Sequence, residues 1–235
     1  MINQKNTCKT KIRFKFYKKG EFKYLSHLDI TRIIIRALRR AELKIEYSLG
    51  YNPKPKIIFS IPTPLGIESL AEYSDVILGE KINGQEFKKR VNLQLKPQIQ
   101  IVKAKRMTIK AANLMNDIAV SLYSIKLESY YSDKRLLERF YAGIEENIMD
   151  ESDFSNSIFD LKIMQDKEDS HIFFLKLFGY AKIFTEKKNK FFKFNDFYRY
   201  FTGWLDGYNV HIKEVKKEEL FIVRGNMLKK PWDVV

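Results

Sequence analysis

Apolar and polar residues alternate over KIRFKFYK (11–18). Ile12, Phe14 and Phe16 fall on one side and Lys11, Arg13 and Lys15 on the other, which predicts a half-buried strand. Beyond the turn at Lys18-Lys19-Gly20 the period changes. Ile30, Ile33, Ile34, Ala37, Leu38 and Ala41 recur at helical spacing and predict the core face of a helix from Ser26 to about Glu42. Ser26-His27-Leu28-Asp29 opens it as a capping box in which Asp29 replaces the usual Glu. A short strand KIEYS (44–48), the loop LGYNPKP and a strand KIIFSI (56–61) follow. A proline-bearing loop, PTPLGIES, then leads to the strand AEYSDVIL (71–78). Asn83 or Gly84 opens a helix through Leu95, Pro97 breaks it, and IQIVKAKRM (99–107) reads as a strand.

The second half repeats the pattern. AVSLYSIKLES (119–129) reads as a strand, followed by a helix from Asp133 to about Asn147. IFDLKIMQD and SHIFFLKLFGY form a hairpin about Lys167-Glu168-Asp169. A helix from Asn195 to Leu205, with Asn195 as N-cap, precedes the strand NVHIKEVKK (209–217), and LFIVRG adds an edge strand. The first half thus runs strand, helix, strands, helix, strand and the second strand, helix, hairpin, helix, strand, the order of the ferredoxin-like βαββαβ unit, with two helices on one face of an antiparallel sheet. The expected fold is α+β, with two tandem ferredoxin-like units. A basic unit covers residues 1–110 and a near-neutral unit residues 111–235, with the boundary between 107 and 118.

Charge separates the halves. Residues 1–110 hold 24 Lys and Arg against 9 Asp and Glu, a net of +15; residues 111–235 hold 19 against 20, a net of −1. A basic half points to a polyanionic partner, RNA first, against the plainer reading of a solvated basic surface. No segment reaches the roughly 18 uninterrupted apolar residues of a membrane helix. MINQKNTCKTK lacks the apolar core of a secretory signal, so the cytoplasm is expected and no membrane partner. One cysteine, Cys8, excludes an intramolecular disulfide and a cysteine-ligated cluster built from this chain alone. His27, His171 and His211 lack HxH or HxxxH spacing, which argues against a His-built metal site.

The first helix carries Arg32, Arg36, Arg39 and Arg40 opposite its isoleucines. Arg32, Arg36 and Arg40 are four apart, so like charges line one ridge and repel by roughly a few tenths of a kcal/mol per pair. An anionic ligand relieves that repulsion; so does Asp29, Glu42 or an acidic patch of the second half. In the next loop Gly50 permits positive φ and Pro53 and Pro55 stiffen the path. Tyr51 offers a ring to a base, Asn52 a polar edge, and Lys54 and Lys56 charges for phosphates, unless the loop is an ordinary connection with its Tyr on the sheet. His27, in a first helical turn that favours neutral imidazole, is a weak candidate base with Asp29, Ser48, Glu68 or Glu72 around it, or a hydrogen-bonded member of its own turn. Glu68, Ser69 and Glu72 follow Gly66; they orient basic side chains, bind a cation weakly or cap the turn. Aromatic residues crowd the second half. KKNKFFKFNDFYRYF (187–201) suits a core or a protein interface, and no RNP-type aromatic motif occurs on the predicted strands.

GEFKYLSHLD, RALRRAELKIEYSLGYNPKPKIIFSIP and PLGIESLAEYSDV, in that order, resemble the radical SAM-linked (radical SAM-associated) family of uncharacterised bacterial domains, most strongly over residues 12–78. The resemblance implies a stand-alone partner of a radical SAM protein acting in trans. Lys54 stands where the family pattern has a His between two prolines, so no role of that His carries over. The chain has no CxxxCxxC triplet and holds no such cofactor itself; an iron–sulfur cluster and S-adenosylmethionine would belong to the partner. The functional expectation is a radical SAM-associated accessory protein without independent catalytic activity that binds RNA, or another polyanion, or the translation machinery. An RNA-processing or RNA-modifying enzyme using His27 and Asp29, and a protein-interaction scaffold, are the alternatives.

Overall fold

The alternation at 11–18 becomes β1 (Thr10–Lys18), but both of its faces are covered. Ile12, Phe14 and Phe16 enter a core completed by α1 (His27–Arg40) and α2 (Gly84–Asn92), where Ile34, Leu38, Phe87 and Val91 are buried. Phe14 packs on Phe16 and Phe87 at ring separations of 6.0 and 5.3 Å. Each such fully buried side chain contributes about 1.5–3 kcal/mol. The computed structural model describes residues 9–111, 113–130, 134–144, 146, 148, 154–181, 191–225 and 227–233. Cys8, the helix limits Asp133 and Asn147, and positions 187–190 lie outside them.

Two compact units result: Met1–Asp117 with Lys229–Val235, and Ile118–Leu228. In the first, β2 (Ile57–Phe59), β3 (Glu68–Leu78) and β4 (Ile99–Met107) join β1 in the order β4-β1-β3-β2, with every pairing antiparallel. The predicted strand at 44–48 is reduced to isolated bridges from Ile45 to Leu78 and from Tyr47 to Pro55. β3 starts earlier than predicted, at Glu68. α2 begins where Asn83 accepts from the Glu86 amide, 2.9 Å away. A side chain at Gly84 would meet the Ala104 carbonyl oxygen at 2.1 Å, so glycine lets α2 lie directly on β4.

In the second unit, a short α3 (Leu114–Asp117) having closed the first, β5 (Ile118–Ser129) lies between β7 (Ile172–Tyr180) and β8 (Val210–Arg224), and β6 (Ile158–Gln165) pairs with β7. α4 (Lys134–Ile144) and α5 (Phe194–Leu205) complete it, and β9 (Met227–Lys229) pairs with β8. The predicted edge strand LFIVRG is the second half of one continuous β8. Asn195 is not the cap of α5; the N-cap position is Lys193, without a side-chain bond. Aromatic residues build this core: Tyr123 stacks on Phe194 at 4.2 Å, and Phe201 on Phe197 and Trp204. No helix among the described residues is long and apolar enough to cross a membrane.

The other face of β1 holds a buried ion cluster. Arg13, 1% exposed, donates from Nε and Nη2 to the two carboxylate oxygens of Asp75 at 2.7 and 2.9 Å. Lys11 Nζ lies 3.2 Å from the same carboxylate. Arg13 Nη1 donates to the Pro231 carbonyl at 2.6 Å, and Trp232 packs between Tyr73 and the Lys103 ammonium, 4.8 and 4.4 Å away. The strand-register partner of Arg13 on β3 is Asp75 itself, so pairing and register specify one another. Asp75→Ala leaves two buried cations without this carboxylate. Chemical denaturation should show a loss of about 3–5 kcal/mol; a loss under about 1 kcal/mol, typical of a surface pair, would contradict this assignment.

Candidate functional site

α1 is fixed at both ends by side-chain chemistry. Ser26 Oγ accepts from the Asp29 amide at 3.2 Å and donates to Asp29 Oδ2 at 2.6 Å. The shorter Asp therefore turns onto the cap hydroxyl, where the Glu of a capping box reaches the N-cap amide. The Ser26 hydrogen bond, with Arg32 beside it, holds the Asp29 carboxyl below its ordinary pKa. At the other end Glu42 adopts φ 54°. The Glu42 and Leu43 amides donate to the carbonyls of Arg39 (2.9 Å) and Leu38 (3.3 Å), closing the helix as a Schellman motif.

The four arginines of α1 have different fates. Arg32 pairs with Asp29 at 3.1 Å in solvent. Arg36 is exposed and has no hydrogen-bond or ion-pair partner among the described residues. Arg39 donates to the Tyr47 hydroxyl at 3.2 Å, with its guanidinium 5.9 Å from that ring's centre. Arg40 donates to the Gln94 carbonyl beyond the end of α2 at 2.8 Å, while Arg90 of α2 donates to Ala41 and Glu42 at the end of α1, at 2.5 and 3.2 Å. Each helix supplies the cation that satisfies the other's terminal carbonyls, so Arg40 is already engaged.

The loop after Tyr47 is closed at its base. The Ser48 amide donates to the Lys54 carbonyl at 2.8 Å, and the Lys54 amide to Ser48 Oγ at 3.0 Å. Gly50 turns the chain at φ 116°. Asn52 and Lys54 are exposed, and Lys54 has no side-chain partner among the described residues. Leu49 is 98% exposed and Tyr51 fully so. Lys56 lies 4.0 Å from Glu46, which also holds Lys9 at 3.2 Å. Tyr47 thus joins the arginine ridge to the root of this loop, and the two form one surface.

The remaining candidates lie elsewhere. Ser26 and His27 sit at the opposite end of α1 from Arg39 and Arg40, about 20 Å away along the axis. His27 presents its ring edge-on to Phe59 at 5.6 Å and makes no hydrogen bond among the described residues. Glu68 accepts from the Gly20 amide at 2.8 Å, securing the turn after β1. Ser69 is buried and accepts from the Ala71 amide at 3.2 Å. Glu72 is buried and accepts from the Thr63 hydroxyl. No group of three or more His, Cys, Asp and Glu that could hold a metal occurs among the described residues. His171 Nδ1 faces the Ser129 carbonyl at 3.1 Å, to which it donates as an N–H, and His211 packs on Tyr130. The pattern of the sequence passed over Leu49 and Tyr47; an apolar residue beside Gly50, outside any periodic run, is the only trace of the first.

The family model described as "Uncharacterized protein conserved in bacteria (DUF2344)" matches residues 11–170, a span that contains the whole of this surface. No curated protein matches the chain. Among solved structures, an unknown protein from Galdieria sulphuraria shares 12% identity at a TM-score of 0.26, over 89% of this chain and 98% of its own. A putative glycine cleavage system transcriptional repressor shares 7% at a TM-score of 0.24, over 89% and 99%.

The Asp29 carboxyl releases its proton more readily in the folded chain than in the unfolded one. Its contribution to stability is therefore complete above its unfolded pKa, about 3.9, and is lost as pH falls through the lower folded value. Ser26→Ala removes the main cause of the shift. It should lower the melting temperature by a few degrees at neutral pH, with a smaller gap from the wild type in acid. A gap that is constant with pH would contradict the role given to the Ser26–Asp29 bond.

Proposed function

From the premise that the chain belongs to this bacterial family, DUF2344, we propose that it is an accessory protein that binds RNA, or another polyanionic substrate, through the surface of α1 and the 48–56 loop. We assign its partner as a radical SAM protein in trans, which holds the iron–sulfur cluster and S-adenosylmethionine and acts on the bound RNA or on the translation machinery. The presented ligand is then the substrate of a separate enzyme, and the chain needs no catalytic group of its own. In this reading the two strand–helix–strand–strand–helix–strand units are tandem ferredoxin-like scaffolds in the cytoplasm.

The observation that carries the proposal is the convergence of charge. Residues 1–110 have a net charge of +15, and on the helix-and-loop surface the Arg36 and Lys54 side chains face solvent without partners among the described residues. Unpaired cations beside Arg39 and Lys56 gain by releasing counterions from a polyanion. Arg32 contributes once its solvent-exposed pair with Asp29 opens, at the small cost typical of surface ion pairs. His27 and Asp29, the candidates for the alternative reading as an RNA-processing or RNA-modifying enzyme, lie in the first turn of α1, away from Arg39 and Arg40.

RNA binding by the purified chain should weaken steeply with salt. Arg36→Glu should lower affinity by about tenfold or more at moderate salt, flatten the salt slope and leave the melting temperature unchanged. Salt-insensitive binding, or affinity indifferent to Arg36→Glu, would sink the proposal.

A further inference from the structure

The exposed tip of the 48–54 loop specifies the ligand more narrowly. Tyr51 is fully exposed and Leu49 is 98% exposed, yet the loop that carries them is closed by two hydrogen bonds between Ser48 and Lys54 and by the Tyr47–Pro55 bridge. Its root is tied to α1 by the bond from Arg39 to the Tyr47 hydroxyl. The ring is therefore held out on a braced support, and the ordering of the backbone beneath it is already established before any ligand arrives. Lys54, whose side chain has no partner among the described residues, follows three residues later, and Arg36 stands one helical turn before Arg39 and Arg40.

We infer that this surface takes unpaired strands: Tyr51 is a stacking platform for a splayed base, and the cations of the loop and ridge track the backbone phosphates. The inference rests on the polyanion-binding reading above and adds the form of the nucleic acid. A duplex buries its base faces in its own stack, and the deep, narrow major groove of A-form RNA does not admit side chains. One ring projecting from a loop finds a π-face only on a base that is out of the stack. Aromatic stacking beside a positively charged track is the physical pattern of single-strand binding, tolerant of sequence because every base has a face. Leu49 supplies apolar contact at the edge of the same base, whereas a duplex would leave both side chains in water. The flanking cations favour a nucleic acid over a neutral protein groove as occupant.

The test uses the full chain and a fluorescein-labelled mixed-sequence oligoribonucleotide of about 16 nucleotides, alone or annealed to its complement, with anisotropy as readout. The single strand should bind more tightly than the duplex. Tyr51→Ala and Tyr51→Leu should each weaken single-strand binding by about tenfold, Tyr51→Phe should retain it, and none should alter duplex binding. Circular dichroism should be the same for all four proteins, since the ring is fully exposed. Equal affinity for both forms, or indifference of the single strand to Tyr51→Ala while Arg36→Glu still weakens it, overturns the inference and leaves polyanion binding standing. Equal losses on both forms overturn it too. If neither form binds, the polyanion-binding reading fails and this inference with it. Tyr51→Leu behaving like wild type would show apolar docking in place of stacking.

Discussion

The bidentate pair between Arg13 and Asp75 constrains the first unit more than any other contact. A guanidinium 1% exposed and a carboxylate 2% exposed are tolerable only together, because either alone would be a charge without water. Their bond fixes which residue of β1 faces which of β3. It also leaves one guanidinium nitrogen for the Pro231 carbonyl, which draws the last described residues onto the first unit. Trp232, the next residue, is buried against Tyr73 and Lys103. With the register set, Ile12, Phe14 and Phe16 turn toward α1 and α2, and those helices in turn carry the candidate surface.

Much of the positive charge is used internally, which sharpens the functional reading. Lys11 and Arg13 are spent on Asp75, Arg40 and Arg90 on each other's helix ends, and Lys56 and Lys9 face Glu46. A net of +15 is therefore no measure of what a ligand meets. On the helix-and-loop surface itself, what is left for a ligand is Arg36 and Lys54 in the open, Arg39 held against Tyr47, and Arg32 in a weak exposed pair. The ridge and the loop act together because Tyr47 bridges them. The weak acid–base candidates belong to another place, where Glu68 secures a turn, Glu72 is bonded to Thr63 and His27 leans on Phe59.

Where side-chain periodicity and burial coincide, the elements could be read in advance. β4 spans 99–107 as predicted, and α1 starts at the Ser26 cap and buries Ile30, Ile34, Ala37 and Leu38. Periodicity fails where long-range partners decide. Lys11 and Arg13 occupy the polar phase of β1, but Asp75 and Pro231 come from 62 and 218 residues away, so their burial has no local signature. KIEYS alternates like a strand but finds only two isolated bridge partners. Arg40 looks like its neighbours on the ridge until the end of α2 is placed beside it. Of the candidate surface, residue types and their closeness in sequence were legible. The separation of Ser26 and His27 from the loop, the engagement of Arg40 and the full exposure of Leu49 and Tyr51 depend on the fold.

Contact between nucleic acid and the braced loop and arginine ridge of the first unit is read out by ultraviolet crosslinking of the chain to RNA, followed by mass spectrometry of the crosslinked peptides. Crosslinks should concentrate between Tyr47 and Lys56, with Tyr51 as the main adduct, and further adducts should fall on the Arg32–Arg40 segment. Crosslinks confined to residues 118–228, or none above a non-binding control protein, would contradict it.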